Sequence, residues 1–410
     1  MKHLSLTCIS ILPALAVTAS ASAQFSVQHL GTFGPAVTFE MNDSGQICGD
    51  YQFMALTTPM RYTPGVGIQA RSTPAGSGLG YALGINNAGA CIGMLDMPGA
   101  APSAAVIWDA NNVMTELPLP AGWTYNTGTA INDSNVACGY LTLAIVGDDP
   151  VSAWRWDAVN GYTVLPHLAG NYAYSGANDM NASGVICGIS KPSESAASHA
   201  VIWDASNQVT EIPLVPGATS NTAWAINDAG VVVGDSNGNN APWRYTPGVG
   251  VVPLAKFGTQ PAYARGINNA GWVVGYAWQS GEPQTVVWDP NGVIYKIKDY
   301  VSATGYYFPS DQSIPIAISN NNDLVVRAMD FAVSGDPRAV RFHFGFPTPC
   351  PADIDGNHSV DVNDLLSVIS TWGACANPNN CPADIAPAGG DDVVDVNDLL
   401  AVITTWGACP

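Results

Sequence analysis

The sequence predicts an all-β fold, a seven-bladed β-propeller with four-stranded blades, followed by a small α-helical module with duplicated calcium loops. Three observations predict it: a motif that recurs along most of the chain, an aromatic residue at a fixed place in each unit, and an N-terminal strand that matches the strand missing from the last unit. A period of about 40 to 50 residues with several strands per unit is typical of propellers and β-arrays.

The repeated motif is a short apolar stretch, then Asn-x-x-Gly, then a second apolar stretch that usually ends in Gly. Asn can bond to its own backbone and Gly can take a positive φ, so the motif predicts a tight turn between two strands. Asn135 and Asn322 replace the turn Gly in two copies, and Asn tolerates the left-handed region best after Gly. The anchor residues of the seven copies are Asn42, Asn86, Asn132, Asn181, Asn227, Asn268 and Ser319.

An aromatic residue follows each anchor by roughly 20 residues, at the end of a third short apolar strand. A fourth strand follows in the first six units, so each of these units is predicted to be one antiparallel blade. The seven aromatic residues are Tyr62, Trp108, Trp156, Trp203, Tyr245, Trp288 and Phe342.

The two ends of the repeat region predict how the ring closes. No fourth strand follows Phe342, whereas the N-terminal segment FSVQHLGTFG from Phe25 is similar to the fourth strand of the fifth unit. We therefore expect the N-terminal strand to complete the last blade, which removes exposed strand edges. The predicted propeller domain spans residues 24–346. Six or eight blades, or another β architecture, are the alternatives.

Residues 1–23 have the features of a secretory signal peptide: Lys2, an apolar stretch from Leu4 to Val17, and Ala21 and Ala23 at the cleavage site. A lipoprotein signal that uses Cys8 is the alternative. The stretch is too short for a membrane anchor, so we expect a secreted, extracellular or cell-surface protein with no membrane span. The formal net charge of −19 argues against a nucleic acid partner, whose phosphates would be repelled.

The C-terminal module, residues 353–410 after a linker at 347–352, contains the segment VDVNDLL twice. Nine Asp residues and no Lys or Arg occur between Cys350 and Pro410. The first copy fits a twelve-residue calcium loop, whose oxygen ligands stand at positions one, three, five, seven, nine and twelve. His358 stands at position six, where Gly is usual. The predicted ligands are Asp353, Asp355, Asn357, the carbonyl of Ser359, Asp361 and Asp364.

The loop of the second copy, DIAPAGGDDVVDVND, is three residues longer and less regular. Asp392 competes with Asp391 for one ligand position, so this calcium site is less sharply defined by the sequence than the first. For both copies the alternative is an acidic residue that caps a helix without any metal. The predicted ligands of the second loop are Asp384, Asp391, Asp395 and Asp398.

The chain resembles two known families. The AINDAGVVVG-like units with a following apolar-Trp strand resemble extracellular HAF repeats from Gln24 to Phe346, a family that implies localisation and no agreed activity. The duplicated calcium loop and helix resembles a type I dockerin, which implies docking onto a cohesin-like or cell-surface partner. Val-Asn precedes position twelve in both copies instead of the usual polar pair, so the partner implied is not a standard cohesin.

Eight cysteines follow the predicted signal peptide. Cys48, Cys91, Cys138 and Cys187 lie in the second strands of the first four units, where later units carry Val, and are predicted to be buried apolar residues. The tail cysteines are predicted to form two disulfides. The simplest pairing is Cys350–Cys375 with Cys381–Cys409, among three that four cysteines allow.

No catalytic or nucleotide-binding motif is recognisable in the propeller. Variable loops and aromatic residues are predicted on the face formed by the two-to-three and four-to-one loops, where they would bind carbohydrate or protein or else pack at the start of the first strands. These aromatic residues are Trp123, Tyr125, Tyr172, Tyr174, Tyr263, Tyr306 and Tyr307. The favoured function is a secreted, non-catalytic binding or scaffold protein. A polysaccharide-active enzyme with two carboxylates at the central cleft, drawn from residues such as Asp235, Glu282 and Asp330, is one alternative. A structural envelope component is the other.

Overall fold

The structure is a computed structural model that describes residues 26–32, 40–53, 56–99, 103–143, 151–297, 306–307, 315–330, 337–343, 352–354, 359–375, 381–386 and 393–408. The predicted signal peptide lies outside these residues. The chain divides into two compact units, one spanning Phe25–Gly345 and a second that includes Phe346–Pro410. Within the described ranges, no helix has the length and apolar character needed to cross a membrane.

The larger unit consists of short strands. The first seventeen are β1 (Ser26–Thr32), β2 (Glu40–Met41), β3 (Ile47–Phe53), β4 (Leu56–Thr63), β5 (Gly67–Ala70), β6 (Gly80–Ile85), β7 (Cys91–Asp96), β8 (Ser103–Trp108), β9 (Met114–Glu116), β10 (Tyr125–Ile131), β11 (Ala137–Thr142), β12 (Val151–Asp157), β13 (Gly161–Val164), β14 (Tyr174–Met180), β15 (Ile186–Lys191), β16 (His199–Trp203) and β17 (Val209–Glu211). The others are β18 (Ser220–Ile226), β19 (Val232–Asn237), β20 (Ala241–Thr246), β21 (Gly250–Pro253), β22 (Ala262–Ile267), β23 (Val273–Gln279), β24 (Glu282–Trp288), β25 (Ile294–Lys296), β26 (Tyr306–Tyr307), β27 (Pro315–Ile318), β28 (Asp323–Asp330) and β29 (Pro337–His343).

These strands form a β-propeller. Four separate sheets, β2–β5, β6–β9, β18–β21 and β22–β25, each contain four strands paired in sequence order. Strands β10–β13 and β14–β17 repeat this order within one eight-stranded sheet, which is joined by a single parallel pair between Val151 and Tyr174. The first strands of successive repeats contact one another, and β27 of the last repeat contacts β2 of the first.

The N-terminal strand pairs with the last repeat, as the sequence predicted. Strand β1 runs antiparallel to β29, from Ser26 opposite His343 to Thr32 opposite Arg338. Strand β29 is the third strand of its repeat, so β1 takes the place of the missing fourth strand. The last sheet is therefore built from both ends of the propeller region, which leaves β29 paired on both sides.

Each motif forms the predicted turn between its first and second strands. In the fifth copy, Asn227 accepts a hydrogen bond from Val231 N through Oδ1 at 2.9 Å, and Gly230 has a φ of 77°. Asn135 and Asn322, which replace the turn Gly, have φ values of 56° and 59°. Both are in the left-handed region, so the predicted conformation of the two exceptions is confirmed.

The last Gly of the motif has a different role, because it lies beside an irregularity in the first strand. At Gly234 an added Cβ would lie 1.9 Å from the carbonyl oxygen of Thr222, a distance no side chain can adopt. The register of β18 shifts between Ala223 and Ala225, so Trp224 is bulged out of the ladder. Bulges of this kind redirect one side chain. The same shift occurs in β6, β10, β14, β22 and β27.

The hydrophobic core lies between adjacent sheets. One cluster joins Val233 and Leu254 of the fifth repeat to Val273 and Trp288 of the sixth. Five tryptophans of the third strands have no exposed surface: Trp108, Trp154, Trp203, Trp243 and Trp288. The four propeller cysteines are buried and form no disulfide, in agreement with their prediction as apolar core residues.

The smaller unit contains helices α1 (Val362–Ser370) and α2 (Val396–Thr404) and four two-residue strands, β30 (Ser359–Val360), β31 (Gly373–Ala374), β32 (Val393–Val394) and β33 (Gly407–Ala408). Strand β30 pairs with β33 and β31 with β32, so each copy pairs with the other copy and not with itself. The apolar core is shared in the same way. Its buried residues are Ala352, Val360, Val368, Ala383, Val394 and Val402.

The disulfide pairing corrects the simplest prediction. Cys375 bonds to Cys381, with their Cα atoms 5.8 Å apart, whereas the sequence favoured Cys350–Cys375 and Cys381–Cys409. Near-identical copies suggested that each copy closes on itself, but the strand pairs run between copies and bring the end of the first beside the start of the second. The bond is therefore one of the three pairings that the sequence allowed. Cys350 and Cys409 lie outside the described residues.

Candidate ligand site in the central channel

The first strands enclose a channel whose residues can be grouped by their distance from the motif anchor. We call the residues one, two and three places before each anchor positions −1, −2 and −3. Position −1 is a collar of Ile and Met residues, each at most 8% exposed. The collar consists of Met41, Ile85, Ile131, Met180, Ile226, Ile267 and Ile318. An apolar collar of this kind is the least varied layer of the channel.

Position −2 is small in five copies and acidic in two. Gly84, Ala130, Ala225, Gly266 and Ala317 occupy it in the five small copies. Glu40 and Asp179 stand there in the first and fourth copies. The small residues leave room at the centre, and a cavity of about 180 Å³ is lined by all seven of these residues. The two carboxylates therefore face a space that the other copies keep open.

Position −3 holds the bulged residue in six of the first strands, and it differs in every copy. Leu83, Thr129, Asn178, Trp224 and Arg265 all line the same cavity. Because the bulge directs one side chain away from the ladder, the fold presents this single variable position to the channel in these five repeats. Variation at a position with a constant backbone is typical of a binding surface.

Both carboxylates at position −2 titrate above their usual range. Burial, and secondarily the nearby charge of Asp179, raises the pKa of Glu40 from 4.5 to about 8. Burial also raises the pKa of Asp179 to about 6, although Met180 N and Ile226 N donate hydrogen bonds to its two oxygens at 2.7 and 2.9 Å. Displaced carboxylate pKa values in a cleft are a recognised mark of functional sites.

A cluster of rings and charges lies where the fifth and sixth repeats meet at the channel. Arg265 forms an ion pair with Asp235, and Trp224 Nε1 donates to the same carboxylate at 2.8 Å. The Arg265 guanidinium lies over the Trp224 ring at 4.7 Å, and it is also 5.5 and 5.4 Å from the rings of Tyr263 and Tyr276. These cation–π contacts and the ion pair hold the indole and the guanidinium in one arrangement.

Polar side chains at position −3 also satisfy carbonyl groups of the next repeat. Thr129 Oγ1 donates to the Ala177 carbonyl at 2.9 Å, and Asn178 Nδ2 donates to the Ala223 carbonyl at 2.6 Å. These carbonyls stand beside the bulges, where the ladder is interrupted. The variable position thus contributes to the contact between neighbouring repeats as well as to the cavity.

The three carboxylates considered from the sequence have different surroundings. Asp235 lies in the cluster with Trp224 and Arg265, whereas Glu282 is exposed at the start of β24. Asp330 is in β28, and its side chain lies outside the described ones. Glu40 and Asp179 were missed by sequence reasoning. Their signal was an acidic residue at a motif position that is otherwise Gly or Ala.

The aromatic residues predicted on the loop face contribute largely to packing. Tyr174 is 5% exposed, and Trp123 packs against the core cluster that contains Leu117 and Trp154. Tyr172 makes an edge contact with His199, with ring centroids 5.5 Å apart. Tyr263 differs from these three, because it stacks on Tyr276 at 4.7 Å and belongs to the Arg265 cluster.

The tail residues predicted as calcium ligands form the starts of the two helices. Asp361 caps α1 by accepting from Asn363 N at 2.7 Å, and Asp364 accepts from Asp361 N at 2.8 Å and from Ile354 N at 2.6 Å. Asp364 has no exposed surface. It therefore ties the beginning of its loop to the helix. Asp353 is half-buried, and Ser359 lies in β30; Asp355 and Asn357 lie outside the described residues.

The second copy repeats this arrangement. Asp395 caps α2 through Asn397 N at 2.7 Å, while buried Asp398 accepts from Asp395 N at 2.7 Å and from Ile385 N at 2.6 Å. Asp384 Oδ2 lies 3.8 Å from Cys375 Sγ, beside the disulfide. Asp391 lies outside the described residues. The irregular second loop is thus anchored by the same carboxylate as the first. The donor set of both loops is all oxygen, which fits calcium.

Each tail helix carries an exposed apolar stripe with matching exposures. Val362, Leu366, Ile369 and Trp372 are 52 to 55% exposed in the first copy. The equivalent residues of the second copy are Val396, Leu400, Ile403 and Trp406, at 51 to 52%. Large apolar side chains grouped on one helix face are typical of a protein interaction surface.

The fold and the channel define a β-propeller protein. Solved structures of similar fold include a catalytically inactive virginiamycin B lyase from Staphylococcus aureus with quinupristin, at 12% identity, a TM-score of 0.50, and 78% of this chain against 99% of that chain. The β-propeller domain of the Trilobed protease from Pyrococcus furiosus has 10% identity and a TM-score of 0.49, over 77% and 94% of the two chains. These likenesses concern the fold alone. No protein-family model matches the chain, and no curated protein matches it.

Proposed function

We propose that this chain is an exported, non-catalytic binding protein. Its seven repeats form one closed ring, the central channel takes a ligand, and the C-terminal module attaches the protein to a partner in a calcium-dependent way. The observation that carries the binding function is the concentration of variable side chains at position −3, around a cavity next to a constant collar of Ile and Met at position −1. A constant scaffold with variable inward residues is suited to recognition.

The seven-bladed ring is supported by a belt of hydrogen bonds through the motif turns. Each anchor Asn donates through Nδ2 to the anchor carbonyl of the next repeat, from Asn42 to Asn86 and onward to Ser319. Asn320 N and Asn321 Nδ2 then donate to Asp43 of the first repeat, at 2.8 and 2.6 Å. A belt that starts and ends at the same turn argues for seven units and against six or eight.

The binding function is tested by a thermal-shift screen of the mature full-length chain. The library contains small polar metabolites and glycans, with mass spectrometry of every compound after incubation. A ligand present at 100 times its Kd stabilises the folded state by about 2.7 kcal/mol, so a hit gives a measurable rise in Tm. We expect a hit that is recovered chemically unchanged. A screen without any hit would contradict the binding function.

One observation favours a second function, a hydrolase or lyase active on a saccharide. Glu40 and Asp179 share the cavity with pKa values of about 8 and about 6, so near neutral pH one is protonated and the other ionised. Carboxylate pairs with separated pKa values serve as acid and base in glycoside cleavage. In the same screen, a compound that is consumed by the wild type and recovered intact with Glu40→Gln would favour this enzyme.

The proposed tail function is calcium-dependent attachment to a protein partner, which the resemblance to dockerins implies is cohesin-like. Support comes from the tail composition, because its nine Asp residues have no Lys or Arg within the module to balance them. Asp364 and Asp398 are buried at the helix starts, where a bound cation would offset their charge. The two apolar stripes supply the surface for the partner.

Calorimetry of the full-length chain with calcium or with EGTA tests the metal. We expect a tail transition whose Tm falls on chelation, and Asp364→Asn should abolish the part of the shift that belongs to the first loop. Ser370→Ala, an exposed substitution at the end of α1, is the matched control and should leave the shift unchanged. Equal Tm values in calcium and EGTA would contradict calcium binding. Sequencing the exported protein tests cleavage after Ala23.

A further inference from the structure

We propose that the channel ligand is a neutral saccharide and that one of its rings stacks on Trp224. The inference rests on the proposed binding function and names the ligand class. It starts from the exposure of this side chain, which is 37% while five other propeller tryptophans have none. Within the described propeller, no other Trp is as exposed. A partly exposed indole that lines a cavity is suited to a ligand with an apolar face.

The Trp224 ring is held ready for such a contact. Asp235 fixes its edge through the 2.8 Å hydrogen bond from Nε1, and the Arg265 guanidinium covers one face at 4.7 Å. Arg265 is itself held by Asp235 and by the rings of Tyr263 and Tyr276. A ligand can therefore stack only on the opposite face. Because the platform is ordered in advance, stacking loses little side-chain entropy.

The charges around the cavity select against ionic ligands of either sign. Asp179, which is ionised near neutral pH, lines it and repels an anion. Arg265 already supplies a cation to the Trp224 ring and to Asp235, so a second cation on the other face of the ring would gain less from either group. A neutral molecule avoids both penalties. A planar aromatic ligand would satisfy the indole but would bring no hydroxyl groups to the polar side chains that line the cavity.

A pyranose ring matches the remaining features. Its axial C–H groups form an apolar face for the indole, and its hydroxyls can both donate and accept. Asp179, Glu40 and Asn178 line the same cavity and provide carboxylate and amide partners around the ring edge. The volume of about 180 Å³ equals roughly six waters at 30 Å³ each, which suits one sugar ring and not a polymer segment.

Isothermal titration of the mature full-length chain tests the ligand class. The probes are the common neutral hexoses, deoxyhexoses, pentoses and N-acetylhexosamines, together with tryptamine and benzoate as ionic aromatic compounds. We expect at least one sugar to bind. Trp224→Ala should weaken that sugar at least tenfold, and Trp224→Tyr, which keeps a stacking ring, should stay within about threefold. Val249→Ala removes apolar surface at a 75% exposed turn of the fifth repeat, outside the cavity lining, and should leave the affinity unchanged.

Three sets of results would overturn the proposal and are distinguishable from failure of the binding function. Equal sugar affinity in wild type and Trp224→Ala, with unchanged Tm, would show that the sugar does not stack on Trp224. Binding of tryptamine or benzoate but of no sugar removes the ligand class while the channel stays a binding site. If no sugar binds and the metabolite library still gives a hit, the binding function stands and the saccharide does not.

Discussion

The turns and the channel lining of the propeller are formed by residues of the same motif, three positions apart. The residue at the turn varies much less between copies than the residue in the channel. The anchor is Asn in six copies and Ser in the seventh, whereas position −3, three residues earlier, is Leu, Thr, Asn, Trp or Arg in five described copies. The anchor makes the same two contacts in each of the six Asn copies, so its chemistry is constrained. Position −3 extends from a bulge, so its side chain can change without disturbing the ladder.

The difference teaches where structure and function are encoded in this repeat. The anchor and the last Gly are set by backbone geometry that recurs in each unit. The surroundings of each channel residue depend on the side chains that face it from other units. Substitutions in the turn and at the last Gly are expected to have larger effects on stability than a substitution in the channel.

The largest effect is expected at the last motif Gly. Gly234→Ala places a Cβ 1.9 Å from the Thr222 carbonyl oxygen and 2.5 Å from a ring atom of the buried Trp243. Neither neighbour can move without opening the bulge, so we expect a loss of about 3 kcal/mol or more in the free energy of unfolding, measured in urea.

Gly176→Ala is the matched control for this substitution. It is a first-strand Gly whose added Cβ would meet only Ile189 Cγ1, at 3.9 Å, and its loss should be below about 1 kcal/mol. Equal losses at Gly176 and Gly234 would show that the close approach at the bulge is not what requires Gly.

The next effect is expected at the anchor. Asn227→Ala leaves Val231 N without the acceptor that lies at 2.9 Å in the wild type. It also removes the inter-repeat donor to the Asn268 carbonyl, at 3.1 Å, which then keeps only the bond from Gly271 N of its own turn. The bond to Val231 N is part-buried and the bond to the Asn268 carbonyl is buried, so we expect a loss of about 2 kcal/mol in urea unfolding. Asn227→Ser, which introduces the anchor residue of the seventh copy, should lose less because a Ser hydroxyl can still close the turn.

The exposed neighbour of the anchor provides the control. Asp228 accepts from Ala182 N and Asn269 Nδ2 at the surface, at 2.9 and 2.7 Å, where water can replace either bond. Asp228→Ala should change stability by no more than about 0.5 kcal/mol. A larger loss at Asp228 than at Asn227 would show that the surface bonds of Asp228, and not the buried bond from Asn227 to Asn268, contribute most to the contact between repeats.

A smaller, pH-dependent effect is expected in the channel. The raised pKa of Glu40 means that its folded form binds a proton more tightly than its unfolded form, so the wild type loses stability as pH rises from about 4.5 to about 8. Glu40→Gln has no such loss. Its advantage over wild type should grow across this window to on the order of 2 kcal/mol, after allowance for solvent near the channel.

Urea unfolding of both proteins at pH 4 and pH 9 measures this difference. The same comparison in an Asp179→Asn background should give a smaller advantage, because the charge of Asp179 contributes to the raised pKa of Glu40. A difference in the free energy of unfolding between wild type and Glu40→Gln that is independent of pH would mean that ionisation of Glu40 does not destabilise the fold.

Much of the architecture could be predicted from the sequence because it depends on local chemistry. The turn at each anchor follows from Asn and Gly, and even Asn135 and Asn322 took the conformation expected of them. The N-terminal strand could be assigned to the last repeat because a missing strand and a surplus strand had the same pattern. The helix starts at Asp361 and Asp395 were likewise foreseeable from their capping residues.

The disulfide and the channel could not be predicted, for two physical reasons. Cys375 and Cys381 pair because short strands join the two tail copies, and sequence similarity between copies does not reveal which copy each strand joins. The bulge at position −3 is invisible in the hydrophobic pattern, since the residue there is apolar in one copy and charged in another. The sequence instead predicted a binding face at the loop aromatics, several of which pack in the core.

The sequence by itself determined the repeat, its turns, the closing strand and the acidic tail, since each depends on residues close together in the chain or on a pattern that recurs. Only the tertiary structure decided that Glu40 and Asp179 share one cavity and that Trp224 stands beside Arg265. These pairs come from different repeats, and their burial, and hence their pKa values and exposure, arises from neighbours that the ring brings together.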